Sequence, residues 1–268
     1  MSILEIIGYA GAVVVGLVLG LLGGGGAAMS IPILVYAFAV PASVATGYSL
    51  LIVGCTALLG TLQNLRKGLV RYKALLYCGI PALVSIYIMR RFLIHLVPEV
   101  FFTIGTYTLT KNSFILLLLA FFMTLVARNM IVSPPSKEDS SNSTHYAWHF
   151  AQSVLIGLFT GLVGAGGGFL LIPLILSYEK MEFRNATATS LALVTLNSFI
   201  GFIGDIQSQS SMNWQFLMCF VGCSAVGVLL GIALANKTDN KGLRLIFGYV
   251  MLCIALYIMV KEVILKFL

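Results

Sequence analysis

Two glycine clusters, 141 residues apart, interrupt segments of the chain that are otherwise continuously apolar. The first reads GGGGAAMSIP at residues 23–32, and the second reads GAGGGFLLIP at residues 164–173. A helix that is broken by glycines and then resumes leaves unpaired N–H groups at its new start. With the positive end of the helix dipole, these groups form a site for an anion. We therefore expect a ligand at eight glycines: Gly23, Gly24, Gly25, Gly26, Gly164, Gly166, Gly167 and Gly168.

Glycines can also serve close packing between helices, because small residues four positions apart allow two helix backbones to approach. Gly16 and Gly20 precede the first cluster at this spacing, and Gly157 and Gly161 precede the second. We assign these four glycines to packing.

Hydroxyl side chains follow each glycine cluster, in ATGYSLLIVGCTALLG (45–60) and ATATSLALVTLNSFIG (186–201). Residues three apart share one face of a helix, so a threonine and a serine at this spacing could offer two hydroxyls to one substrate. Alternatively, the hydroxyls bond to their own helix backbone or to a neighbouring helix. The repeat pairs Thr46 with Thr187, Ser49 with Ser190, and Thr56 with Asn197.

The chain contains two homologous halves. Between Gly16 and Gly60, 15 of 45 positions are identical to their partners between Gly157 and Gly201, without a gap. We expect an N-terminal repeat at 1–130, a polar, Pro/Ser-rich linker at 131–148 and a C-terminal repeat at 149–268. The first half alone carries an insertion near 92–111, which we expect to be an ordered loop or short hairpin outside the bilayer, or else a short helix.

The composition indicates a membrane protein. Hydrophobic residues make up 59% of the chain and charged residues 9%, against about 25% charged residues in soluble domains. Residues 6–65 contain no Lys, Arg, Asp or Glu, and about 20 apolar residues suffice to cross a bilayer. We expect an all-α polytopic membrane protein. The net charge of +7 is explained by basic residues in short loops, so no nucleic-acid partner is expected.

The orientation of the two halves depends on the glycine-broken segments. If each segment crosses the membrane, the halves are parallel; if each is a re-entrant hairpin, every half has three further transmembrane helices and the halves are inverted. The re-entrant arrangement places 11 of the 16 Lys and Arg residues in the cytoplasm, including the loop RKGLVRYK at 66–73. Cytoplasmic loops carry an excess of these residues. If the glycine-broken segments crossed the membrane, the 16 residues would be divided equally between its two sides. The inverted arrangement is therefore favoured.

No residue pattern indicates an enzyme. The chain lacks HExxH, paired membrane aspartates and a serine nucleophile motif with a histidine partner, and its three histidines lie near loops or segment ends. Cys219 and Cys223 are one helical turn apart, but no further cysteine or histidine completes a metal set. We expect no metal and no cofactor, and we interpret the five cysteines as small core residues.

The doubled glycine motif, the AT-x-x-SL segments and the loop QNLRKGLVRYKA (63–74) resemble the TauE/SafE family of sulfite exporters and organosulfur-anion transporters. Members usually have His-x-Arg-x-Gly and an Asp-Trp pair at this loop. Here Asn64 replaces the histidine, Arg66 and Gly68 are retained, and Arg71–Tyr72 replaces the Asp-Trp pair, while the second half keeps Asn213–Trp214. The resemblance covers residues 8–90 and 152–262.

The resemblance implies a secondary transporter for sulfite, thiosulfate or a sulfonate such as sulfoacetate, which exports its substrate from a bacterium across the plasma membrane. A passive anion channel and an importer are the alternatives. We expect Asn64 and Arg66 to join the glycines and hydroxyls at the substrate site. Arg66 and Lys67 could concentrate anions at the cytoplasmic mouth; alternatively, these two charges only orient the chain in the membrane. If transport is coupled to protons, Asp205 is the candidate by position.

Overall fold

The computed structural model describes residues 3–96, 98–104, 107–132, 145–179, 182–206, 213–235 and 237–264. Within these ranges the chain is helical, apart from one two-stranded hairpin and short turns. The helices are α1 (Ile3–Leu22), α2 (Gly25–Ala37), α3 (Ala42–Arg66), α4 (Tyr72–Arg91), α5 (Lys111–Val132), α6 (His145–Val163), α7 (Gly168–Glu179), α8 (Phe183–Ile206), α9 (Trp214–Ala235) and α10 (Asn240–Met259). A π-helical turn, Val260–Ile264, extends α10.

Seven of the described helices are long and apolar enough to cross a membrane: α1, α3, α4, α5, α8, α9 and α10. Helices α2 and α6 contain shorter apolar stretches, Gly26–Ala37 and Trp148–Val163. Large apolar side chains such as Ile80 on α4 and Leu230 on α9 are exposed, as expected on surfaces that face lipid. The prediction of an all-α polytopic membrane protein is confirmed, and the linker core (133–144) lies outside the described residues.

The insertion in the first half forms an antiparallel β-hairpin. Strands β1 (Val100–Ile104) and β2 (Tyr107–Thr110) pair through Val100–Thr110 and Ile104–Tyr107, after a 3₁₀ turn at Leu93–Leu96. The short hairpin predicted from the alternating sequence is therefore present.

Glycines hold two reciprocal helix pairs together. In the first half, Gly16 and Gly20 on α1 lie directly against the backbone of α9 at Ser224 and Val228. In the second half, Gly157 on α6 lies against the backbone of α4 at Ala82. Helices α9 and α4 occupy equivalent positions in the two halves, so each half packs its first helix on the other half's fourth. These contacts agree with the packing interpretation of the glycines.

Helices α3 and α8, which carry the predicted hydroxyl residues, pack against each other in opposite directions. The Thr61 and Thr195 hydroxyl oxygens are 3.0 Å apart, whereas Leu50, nearer the start of α3, packs at Gly201, nearer the end of α8. Because α3 and α8 are repeat partners, equivalent residues follow each other in opposite directions along this pair.

Candidate functional site

The first glycine cluster reverses the direction of the chain. Helix α1 ends at Leu22, and the Gly23 amide donates to the carbonyl of Leu19 with Gly23 in the left-handed region (φ +74°). This is the cap that glycine favours at a helix end. After the reversal, Gly26 packs on α1 at Val15 and Leu19, so α1 and α2 form a hairpin whose tip is Gly23–Gly26.

The second cluster repeats this construction. The Gly164 amide donates to the carbonyl of Thr160, and Gly164 also lies in the left-handed region (φ +77°). Gly167 then lies beside Thr160, and the Phe159 and Phe169 rings are 6.5 Å apart. Helices α6 and α7 therefore form a second hairpin, with its tip at Gly164–Gly168.

The two tips touch each other inside the protein. A methyl group at Gly24 would lie 2.6 Å from the Cα atom of Gly168, and one at Gly168 would lie 2.5 Å from the Cα atom of Gly24. Real Cβ atoms essentially never approach that closely. Both residues are buried, so glycine is required here because two backbones cross in direct contact.

Each tip contacts the threonine at the start of the other half's hydroxyl helix. Gly23 lies against Thr187 on α8, and Gly164 lies against Thr46 on α3. The Thr187 hydroxyl donates to the carbonyl of Arg184 at 2.8 Å, and the Thr46 hydroxyl donates to that of Ser43 at the same distance. Each hydroxyl thus uses its proton within its own helix and keeps lone pairs that can accept.

Two serines connect the hydroxyl helices to the hairpins. The Ser190 hydroxyl donates to the carbonyl of Gly168 at 3.0 Å. The Ser49 and Ser30 hydroxyl oxygens lie 2.5 Å apart, which connects α3 to α2. Both predicted serines are fully buried, and each forms a hydrogen bond with a residue of a hairpin.

Two further polar residues on α8 lie at the second tip. The Asn197 amide nitrogen is 3.5 Å from the carbonyl oxygen of Gly166, and Ser198 lies beside the same glycine. Both side chains are fully buried, and among the described residues Asn197 Oδ1 and Ser198 Oγ have no hydrogen-bond partner. Thr56, the repeat partner of Asn197, instead bonds to Ser224 and the carbonyl of Ile52.

A buried ion pair at the second tip was not predicted. Arg90, near the end of α4, is fully buried, and its Nη1 atom lies 3.4 Å from Asp205 Oδ1 and donates to Thr46 Oγ1 at 3.2 Å. Its Nη2 atom lies directly against Gly164. The protein interior encloses this side chain, although Arg90 stands at the end of an apolar segment, where basic residues usually face the loops.

Two other predicted residues lie toward the end of α3. Arg66, in the last turn of α3, is exposed, so the buried cluster does not include it. Asn64 is 9% exposed, and its carbonyl accepts from the Leu69 amide at the end of α3. Their roles in substrate binding stay predictions.

The repeat also shows that the two tips differ chemically. Asp205 corresponds to Asn64 in the first half, and Arg90 corresponds to Gly231 in the second, where Gly231 packs against Leu17. The Gly164 tip therefore has a guanidinium and a carboxylate beside it, whereas the equivalent positions for the Gly23 tip hold an amide and no side chain.

Comparisons with known proteins agree with this architecture. Residues 9–258 match the family described as "Sulfite exporter TauE/SafE". A probable membrane transporter protein of Xylella fastidiosa (strain 9a5c) is 25% identical, over 96% of this chain and 95% of its own length. The probable membrane transporter protein YunE of Bacillus subtilis (strain 168) is also 25% identical, over 90% and 94%. A probable membrane transporter protein of Methanocaldococcus jannaschii, MJ0441, is 24% identical, over 92% and 94%.

No solved structure matches the chain significantly. The family match nevertheless covers nearly the whole chain, including both hairpins and the helices that pack on them. The chain is a multi-pass membrane transporter, not an enzyme, and it belongs to the TauE/SafE sulfite exporter family.

Proposed function

We propose that this protein is a secondary transporter that exports a small sulfur oxyanion, such as sulfite, thiosulfate or sulfoacetate, across the plasma membrane of a bacterium. The observation that carries the proposal is the buried contact between two glycine hairpin tips, Gly24 and Gly168. Non-helical backbone at membrane depth is tolerated where it is enclosed by protein or lines a cavity. Two such elements, one from each half, are a common construction for a transport site.

We further propose that the halves are inverted repeats that alternate access by moving against each other. The antiparallel packing of the repeat partners α3 and α8 supports this arrangement, as do the reciprocal pairs of α1 with α9 and α6 with α4. Each hairpin would then enter the membrane from a different side, and the crossed tips would separate the two compartments in the closed protein.

The inverted arrangement predicts that Lys67 and Gln215 face opposite compartments. Both side chains are exposed, Lys67 after α3 and Gln215 in the first turn of α9. A membrane-impermeant maleimide added to intact cells should label Gln215→Cys and should label Lys67→Cys only after permeabilisation. The unsubstituted protein provides the background, because its five cysteines lie in apolar helices. Equal labelling of both variants from one side would contradict the inverted arrangement.

The proposed substrate class predicts saturable flux of a sulfur oxyanion. Purified protein in proteoliposomes should transport sulfite, thiosulfate or sulfoacetate in preference to chloride, and the same anion on the opposite side should accelerate the flux, as in a carrier. Thermal-shift screening with sulfate and taurine added to the set would identify the preferred anion. Single-channel currents would identify the passive anion channel instead, and no preference over chloride would reject the substrate class. Comparing flux with and without a pH gradient tests proton coupling, and equal rates under both conditions would reject it.

A further inference from the structure

We propose that Arg90 binds the transported oxyanion through the edge of its guanidinium group formed by Nε and Nη2, while Asp205 and Thr46 hold the group in place through Nη1. The proposal rests on the proposed function, because it assigns a residue to the substrate of that transporter. It adds a binding residue that lies outside the glycine and hydroxyl motifs of the sequence.

The hydrogen bonds of Arg90 divide its guanidinium into an occupied and an unoccupied part. Nη1 contacts both Asp205 Oδ1 and Thr46 Oγ1, at 3.4 and 3.2 Å. Nε and Nη2 have no hydrogen-bond partner among the described residues, although the side chain is fully buried. Buried polar groups are nearly always hydrogen-bonded, so two orphaned donors on one charged group point to a ligand that binds there.

The geometry of the unoccupied part selects a class of ligand. Nε and Nη2 present parallel N–H donors in a fixed fork, which matches two oxygen atoms on one central atom. Sulfite, thiosulfate and sulfonates all present such a pair of oxygens. A halide is a single sphere that cannot occupy both directions equally well, so this edge favours an oxyanion over chloride.

The tip of the second hairpin lies against this edge. Nη2 lies directly against Gly164, which opens the tip, and α7 begins four residues later at Gly168. Leu170 and Leu171 donate to the carbonyl of Gly167, whereas the first two amides of α7 have no acceptor within their helix. The guanidinium fork at Gly164 and the start of α7 at Gly168 thus place donors at the two ends of one hairpin tip.

Asp205 has a positioning role in this arrangement. Its carboxylate compensates the charge of Arg90 in the closed protein, where an unpaired guanidinium would be costly. The carboxylate also keeps Nη1 occupied, which directs the opposite edge of the guanidinium toward the ligand. Because Arg90 and the tip are buried, an anion reaches the fork only when the hairpin moves away from α4.

Substitutions at Arg90 test the proposal through anion selectivity. In proteoliposomes, Arg90→Lys keeps a positive charge but loses the fork, and Arg90→Gln loses both. We expect each substitution to weaken sulfite binding about tenfold or more, which is the loss typical for a charge-assisted hydrogen-bond pair. The inhibition of sulfite flux by chloride should change less than twofold. The neighbouring Arg91 is exposed, so Arg91→Lys and Arg91→Gln are the matched controls. If the role of Arg90 is purely structural, the substitutions should weaken the binding of sulfite and chloride equally, and that result would overturn the proposal.

Hydrogen exchange on the unsubstituted protein provides a second test that does not depend on the folding of a variant. Sulfite should slow amide exchange in peptides that cover Gly164–Gly168 and Arg90, and chloride at the same ionic strength should not. Protection confined to other segments would overturn the assignment of Arg90 but leave the proposed function intact. If the unsubstituted protein prefers no oxyanion over chloride in binding or flux, both proposals fail.

Discussion

Replacing Gly24 by alanine is expected to abolish transport and to lower the thermal stability of the protein markedly. The added methyl group would meet the backbone of Gly168, and a backbone cannot rotate away as a side chain can. Overpacking a tight interior commonly costs about 1–3 kcal/mol, and a backbone contact falls at the upper end of this range. For a chain of this length we expect the melting temperature to fall by about 10 °C. Gly168→Ala should have a similar effect, because its added methyl group would meet the backbone of Gly24.

The matched control is Gly222→Ala, within α9, where a methyl group would meet nothing within 4 Å. It should leave flux and melting temperature unchanged or raise stability slightly, because alanine is the better helix former. Scanning fluorimetry of the purified variants and flux in proteoliposomes measure both effects. If Gly24→Ala transports as well as Gly222→Ala, the tips do not cross in contact in the working protein.

Removing one partner of the buried ion pair should destabilise the protein more than removing both. Asp205→Ala leaves the Arg90 guanidinium buried without its carboxylate, which typically costs about 3–5 kcal/mol. The double variant Arg90→Met with Asp205→Leu places apolar groups in the same space, and such replacements are often neutral or stabilising. We therefore expect the double variant to melt above Asp205→Ala, although it should not transport.

The control for this comparison is Arg91→Met, which removes a charge from an exposed neighbour and should change the melting temperature little. Thermal unfolding of the four proteins in one detergent measures the order of stability. A double variant that is less stable than Asp205→Ala would show that the ion pair stabilises the fold by more than the cost of burying its charges.

Much of the fold follows from patterns in the chain. The charge-free stretch at 6–65, the 141-residue repeat and the glycine clusters predict membrane helices, homologous halves and breaks, and the helices and breaks lie where these patterns place them. Thr46 and Thr187 also lie at the tips, because the same short spacing follows a glycine cluster in both halves.

The ion pair could not be predicted in the same way. Arg90 stands beside Arg91 at the end of an apolar segment, and two adjacent arginines in this position are typical of a loop that leaves the membrane. Only the packing of α4 against α8 and the second hairpin shows that one of them is enclosed and the other exposed. Arg66 is exposed in the last turn of α3, and its role at the mouth of the transporter stays a prediction.

The chemical difference between the two hairpin tips constrains the transport cycle. With Arg90 and Asp205 beside Gly164 and only Asn64 and Gly231 at the equivalent positions, the two end states of the cycle need not bind the anion equally well. By thermodynamic linkage, any ratio of these two affinities equals the factor by which the anion shifts the equilibrium between the end states. In the proposed alternating-access cycle, tips with unequal affinities would make the cargo itself bias which side of the membrane the loaded protein faces, even though the two halves share one repeated sequence.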